Sequence, residues 1–429
     1  RPIRPRDRMC HLNVQQTHVF VAKLNADGTF AWATKAGSSG DDRGNSVSAL
    51  ADGSSIITGS FLGLATFGST TLNNAGGEDV FVAKLNADGT FAWATRAGGT
   101  GYDYGNSVSV LADGSSIITG YYQYSATFGS TTLTNAGGVD LLVAKLNADG
   151  TWAWASRAGG TSSDYGKSVS VLADGSSIIT GYFSGSATFG STTLSAGSTE
   201  AFVAKLNADG TWAWATKVSG TTYDLGASLS TFTDGSSIIT GYFLGSATFG
   251  STSLTSAGEF DVFVAKLNAD GTFAWATKAG GTSRDFGLGM STFVDGSSIV
   301  TGYFTGSAIF GSTTLTGAGG EDVFVAKLNA DGTWAWATKA GGTGTDYGNS
   351  VSALADGSSI VTGYFTGSAI FGSTSLTGAG GSDVFVAKIN ADGTWSEASS
   401  LLGFPAEIIV TADGGRAGVA SATVTLNVK

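Results

Sequence analysis

The chain has one cysteine, Cys10, and two histidines, His11 and His18, all close to its start. No intrachain disulfide can form, no cysteine cluster can hold a metal, and no Ser-His-Asp or histidine-metal site can recur along the chain. Proline is scarce, at 3 of 429 residues, and charged residues make up only 13%. No run approaches the roughly 18 consecutive apolar residues of a membrane-crossing helix, so membrane insertion is not expected. No secretory signal is present, and the chain begins at Arg1 rather than Met, as after removal of a leader or trimming. No segment shows a capped 3.6-residue apolar period, so essentially no helix is expected. What the chain has in excess is glycine, 66 residues, beside 42% hydrophobic and 11% aromatic residues. That apolar content suffices for a core, and dense glycine with Val, Ile, Phe and Trp fits many short strands joined by tight turns.

Net charge is -11, although Arg1, Arg4, Arg6 and Arg8 crowd the first eight positions. The rest of the chain is therefore more acidic still, and nucleic acid and anionic membrane are poor partners for it. Residues 1–17 match nothing downstream; with Pro2 and Pro5 they read as an irregular, frayed segment.

From residue 18 the text repeats. The stretch Asp261-Val-Phe-Val-Ala-Lys-Leu-Asn-Ala-Asp-Gly-Thr-Phe-Ala-Trp-Ala-Thr-Lys-Ala-Gly280 has seven copies, centred on Phe20, Phe81, Leu142, Phe202, Phe263, Phe324 and Phe385, about 61 residues apart. A fixed period overrides domain counts drawn from length. Within each copy, Val-Phe-Val alternation and an Asp-Gly turn predict two hairpin strands, named C and D. A Gly-rich loop follows, then Ser107-Val-Ser-Val-Leu111, Asp113-Gly114 and Ile117-Ile-Thr-Gly-Tyr-Tyr122, which predict a second hairpin, strands A and B. The connection onward, Ser125–Gly138, has the makings of a short extra ribbon. Four antiparallel strands in order A-B-C-D, repeated, predict an all-β fold: a β-propeller of four-stranded blades.

A/B pairs begin near Gly44, Gly105, Gly166, Gly226, Gly287 and Gly348, one fewer than the C/D pairs. The orphan C/D pair at 18–37 needs strands from elsewhere. Glu407–Thr411, Asp413-Gly414 and Ala422–Val428 echo an A/B hairpin. The expected organisation is therefore an irregular segment 1–17, propeller repeats over 18–400, and C-terminal strands over 401–429 that complete a seventh blade and close the ring. Six blades with extra strands, or an open array, are the alternatives.

The blade text (Gly-Asn-Ser-Val-Ser, Thr-Gly-Tyr-Phe, Asp-Val-Phe-Val-Ala-Lys-Leu, Trp-Ala-Thr) resembles the bacterial seven-bladed β-propeller repeat family often called SBBP repeats, over residues 18–396. The resemblance implies a secreted or surface-associated bacterial protein, and it brings no shared catalytic residues.

Each D-to-A loop carries an aspartate: Asp42, Asp103, Asp164, Asp224, Asp285 and Asp346. Placed around a channel mouth, such a ring would attract a cation or cationic ligand; the competing role is an aspartate bonding its own loop amides. Tyr104, Tyr165 and Tyr347, replaced by Arg43, Leu225 and Phe286 elsewhere, mark a varying surface. Gly98–Asp103 and Gly341–Asp346 match the start of a calcium-binding β-roll repeat. Calcium, however, wants about six to eight oxygen ligands, and copies 61 or more residues apart cannot stack as that motif does. Asp103 and Asp346 are thus weak calcium candidates, and no cofactor is expected. Tyr165-Gly-Lys-Ser168 imitates a phosphate loop but has Thr161 where glycine is required. His18 replaces the aspartate of the other C strands, at what reads as an exposed strand start. The ten tryptophans all lie on D strands, where exchange with Phe suggests packing between blades. The ring Lys23, Lys84, Lys145, Lys205, Lys266, Lys327 and Lys388 reads as solvated and paired with neighbouring acids.

No nucleophile-base pair or cofactor fingerprint emerges. The expected function is a non-enzymatic extracellular or cell-surface scaffold for a protein or glycan ligand. Alternatives are a lectin-like propeller with equivalent pockets, a self-assembling surface or filament protein, or an enzyme with its site on one face.

Overall fold

The computed structural model describes residues 18–25, 30–401, 406–412 and 422–428, and from 401 onward the backbone alone. Residues 1–17, with Cys10, His11 and the arginine run, and the turn at Asp413-Gly414 lie outside the described residues. Among the described residues, every regular element is a β-strand.

In the second repeat, strand A is Tyr104–Val110, B is Ser116–Phe128, C is Thr131–Leu146 and D is Trp152–Ala158. A pairs with B, B with C and C with D, all antiparallel. The B and C strands continue beyond the sheet as a two-stranded ribbon, with Ala126 opposite Leu133. The other repeats follow the same plan, their A strands beginning at Asp42, Asp164, Asp224, Asp285 and Tyr347. These A strands lie side by side, and Ala406–Ala412 lies between Tyr347–Ala353 and Asp42–Ala49. The architecture is a β-propeller of four-stranded antiparallel sheets.

The C strand shows why neighbouring sheets need each other. Val80, Phe81, Val82, Ala83 and Leu85 are all buried, so both faces of the strand are apolar and covered. One repeat alone would leave one of those faces in water, and stacking sheets removes the exposure. Strand D is outermost and half-exposed, and its tryptophans fasten one repeat to the next. Trp32 Nε1 donates to Ala87 O at 3.0 Å, and Trp334 Nε1 donates back to Lys278 O at 3.1 Å. Further ties come where D ends: Gly159 pairs with Thr188, and Gly280 with Ile309, in the ribbon of the following repeat.

The first and last strands meet. His18–Leu24 pairs on one side with Phe30–Ala36 and on the other with Ala422–Val428, which pairs in turn with Ala406–Ala412. Strands from both ends of the chain thus share one four-stranded sheet.

Candidate functional site

Antiparallel order sends the two kinds of connection to opposite faces. The A/B and C/D turns occupy one face; the D-to-A loops, the ends of B and the starts of C occupy the other.

The turn face is nearly uniform. Asp52 Oδ1 accepts from Ser54 N at 2.9 Å, and the same bond recurs from Asp113 to Ser115 and from Asp295 to Ser297. These hydrogen bonds hold the turn aspartates below the usual carboxylate range. The repeated lysines end here too. Lys266 and Lys327 lie over the rings of Phe232 and Phe293, and Lys388 Nζ is 3.8 Å from Asp356.

On the loop face the six predicted aspartates do not form a solvent-facing ring. Asp42, Asp103, Asp164, Asp224, Asp285 and Asp346 are all buried. Asp103 accepts from Gly99 N at 2.7 Å and Gln123 N at 3.1 Å, tying its loop to the adjacent B strand. Asp346 does the same with Gly342 N and Thr366 N, at 2.7 and 3.3 Å. A carboxylate reaching its own loop amides is a turn brace. No group of three or more His, Cys, Asp or Glu side chains comes together among the described residues. Burial pushes the carboxyls of Asp103, Asp164, Asp224 and Asp285 up to about 7, and that of Asp346 to about 6.

A second set of carboxylates, read from the sequence only as exposed strand starts, joins them. Asp79, Asp140, Asp261 and Asp322 stand where the C strands leave the ribbon or loop and enter the four-stranded sheets, and they are buried rather than exposed. Each carboxylate sits close enough to a loop aspartate to help raise it. Arg96 pairs with Asp79 at 2.7 Å, Arg157 with Asp140 at 2.8 Å and Lys278 with Asp261 at 2.6 Å. Asp79 Oδ1, Asp140 Oδ1 and Asp261 Oδ1 nevertheless have no hydrogen-bond partner. In the first copy His18 takes this position, its Nδ1 3.7 Å from Asp42. The available signal was an aspartate recurring just ahead of the apolar C-strand text in five of the seven copies, with His18 and Glu200 in the other two.

The tyrosines do come together. Tyr104 stacks on Tyr121 at 4.8 Å, Tyr121 meets Tyr165 at 4.8 Å, and Tyr165 meets Tyr182 at 4.8 Å. After Leu225 the series resumes: Tyr242–Phe286 at 4.1 Å, Phe286–Tyr303 at 4.8 Å, Tyr303–Tyr347 at 4.0 Å and Tyr347–Tyr364 at 4.8 Å. A-strand and B-strand rings alternate from one repeat to the next, forming a half-buried aromatic belt. The belt ends at Arg43, whose Nη1 is 3.3 Å from both Glu78 Oε1 and the Tyr104 hydroxyl. Burial next to Glu78 pushes the Tyr104 phenol up to about 12. The B-strand tyrosines were legible only as part of Thr-Gly-Tyr-Phe.

Repeat-to-repeat variation concentrates beside the invariant aspartate. The preceding position holds Asp41, Tyr102, Ser163, Tyr223, Arg284 and Thr345; the following one holds Arg43, Tyr104, Tyr165, Leu225, Phe286 and Tyr347. Buried braces thus carry varying, more accessible neighbours.

No family model matches the chain. An uncharacterized WD repeat-containing protein of Acanthamoeba polyphaga mimivirus is 22% identical over 80% of the chain, which spans about a third (32%) of that relative's length. Among solved structures, a protein of unknown function from Bacteroides caccae is similar at a TM-score of 0.40 and 11% identity, covering 76% of this chain and 94% of that one. YCF48 bound to D1 peptide also gives 0.40, at 10% identity over 90% and 92% of the two chains. A puromycin hydrolase mutant gives 0.40 at 11% identity over 82% and 53%.

Proposed function

We propose that the chain is a non-enzymatic, extracellular binding scaffold: a ring of seven sheets closed by its own terminal strands, recognising a protein or glycan ligand with its loop face. One observation carries this reading. Across near-identical repeats, variation gathers on one face, at the two positions flanking a buried invariant aspartate, while the turn face stays uniform. Loops fixed by a rigid frame and varied at their accessible positions suit recognition. An enzyme would be better served by one repeat carrying a distinct catalytic group. The extracellular and bacterial assignment is supported by the repeat's resemblance alone.

The test is capture on protein and glycan arrays by the labelled chain and by a variant with serine at positions 41, 102, 223, 284 and 345, matching the native Ser163. Capture should fall at least about tenfold in the loop variant while its unfolding midpoint stays near that of the parent. Val294→Ser, on the turn face, should retain capture. Undiminished capture by the loop variant sinks the proposal.

A further inference from the structure

Tyr124 is the one non-glycine residue with positive φ among the described residues, at 63°. Its counterparts in the other repeats are Gly63, Gly185, Gly245, Gly306 and Gly367, with φ of 89°, 66°, 75°, 72° and 73°. The backbone here requires a left-handed conformation, which glycine adopts freely and a bulky side chain adopts at a cost. The second repeat alone keeps a tyrosine in this strained position. That tyrosine is also 59% exposed, so burial of its ring does not offset the strain.

A second exposed aromatic lies on the loop that meets this strand. Tyr102, 54% exposed, occupies the varying position before Asp103. The loop and strand are in contact at the preceding residues: a Cβ on Gly101 would lie 2.5 Å from Gln123 O and 2.8 Å from Gln123 Cβ. Asp103 fixes that contact through the Gln123 amide. Tyr102 and Tyr124 therefore project from two touching segments, and neither stacks on another ring among the described residues. The residues flanking them in the chain include Thr100, Gln123 and Ser125, all uncharged, and Gly77 lies against the Tyr102 ring. The adjoining acid, Asp103, is buried and bonded to the Gly99 and Gln123 amides, and Glu78, whose carbonyl accepts from the Asp103 N–H, is held by Arg43 and Ser60.

We infer that Tyr102 and Tyr124 form a single carbohydrate-binding site, specific to the second repeat, for a neutral glycan chain. The inference rests on the binding-scaffold reading and narrows it to one ligand class and one repeat. Free tyrosine faces offer the flat apolar surface on which sugar rings stack, and their hydroxyls suit a hydroxyl-rich ligand. The absence of an unpaired charge among the residues named around the pair favours an uncharged sugar over an anionic or cationic one.

The test is calorimetric titration of the whole chain with neutral hexaoses of β-1,4-glucan, β-1,4-mannan, β-1,4-xylan and α-1,4-glucan, at millimolar concentration. The parent chain should bind at least one of them. Tyr124→Gly and Tyr102→Ser should each weaken binding at least about tenfold, and Tyr124→Trp should retain it. Tyr124→Gly should also raise the unfolding midpoint, because the strain is relieved; loss of binding in a more stable protein cannot be ascribed to misfolding. Failure of every hexaose to bind, or full binding by Tyr124→Gly, overturns the inference. If a peptide is captured instead and Tyr124→Gly abolishes that, the glycan class is wrong and the scaffold reading stands. If capture survives both tyrosine variants but is lost on changing Tyr223, Arg284 and Thr345, the site lies elsewhere on the loop face.

Discussion

Asp79 and Asp103 converge on Gly98: a Cβ on that glycine would lie 2.6 Å from Asp79 Oδ1 and 2.9 Å from Asp103 Oδ2. Two buried carboxylates thus share one small space with a single cation, Arg96, beside them. The site is balanced when one of the two carboxyls carries a proton. Asp164 with Asp140, and Asp285 with Asp261, repeat the arrangement around Gly159 and Gly280.

Stability should therefore depend on pH in a defined direction. The loop carboxyls rise from 3.8 to about 7 on folding, so the native state holds protons that the unfolded chain releases. Their contribution is complete below pH 3.8 and is lost as pH climbs through about 7. The turn aspartates act in the opposite sense: held low by their hydrogen bonds, they lose stabilisation as pH falls through and below 3.8. Thermal unfolding should show its highest midpoint between about pH 4 and 5, falling by about 5 °C or more by pH 8. Scanning calorimetry across that range checks it; a midpoint rising from pH 5 to 8 would be incompatible with the paired carboxyls.

Asp103→Asn separates proton from shape. The amide oxygen can still accept a loop N–H, and the amide nitrogen can donate to the unpartnered Asp79 Oδ1. The variant should match the parent near pH 4 and exceed it near pH 8, by about 1 kcal/mol. Urea unfolding at the two pH values measures the difference.

Gly98→Ala should be strongly destabilising. Its φ of 152° disfavours any side chain, and the new Cβ would collide with both carboxylates. A loss of about 2–4 kcal/mol is expected by urea unfolding. Trp334→Phe should cost only about 1 kcal/mol, since it removes the bond to Lys278 O but keeps an aromatic where Phe91 and Phe273 stand in sister repeats.

Removing residues 402–429 should expose the edge of His18–Leu24, which otherwise pairs with Ala422–Val428. Unpaired edges invite association. The truncated chain should unfold at least about 10 °C lower or elute as oligomers in size-exclusion chromatography with light scattering. A monomer of unchanged midpoint would rule out closure by the terminal strands.

Periodicity carried most of the fold. The Val-Phe-Val-Ala-Lys-Leu strands, their Asp-Gly turns and the orphan hairpin at the start were all readable, because strand alternation and turn chemistry are local. The candidate site was readable only in outline. Asp103 looks the same in sequence whether it faces solvent or its own amides, and only folding decides which. Asp79 reads in sequence as an exposed strand start because the groups that enclose it, Arg96, Gly98 and Asp103, come from the next strand and the loop after it. Tyr124 could have been noticed by aligning the repeats, where it interrupts a column of glycines, but its strain becomes visible only with a backbone angle.

The central claim is a division of labour within each loop, with an invariant aspartate holding the frame and its neighbours free to vary. Adjacent residues of one loop test it most directly. Asp285 accepts from Gly281 N at 2.6 Å within the buried frame, whereas the Arg284 side chain is exposed and pairs with the exposed Glu259. Thermal unfolding of Asp285→Ala and Arg284→Ala at pH 5 should show a drop of about 4 °C or more for the first and less than about 1 °C for the second. Equal midpoints, or a larger loss at Arg284, would contradict the account.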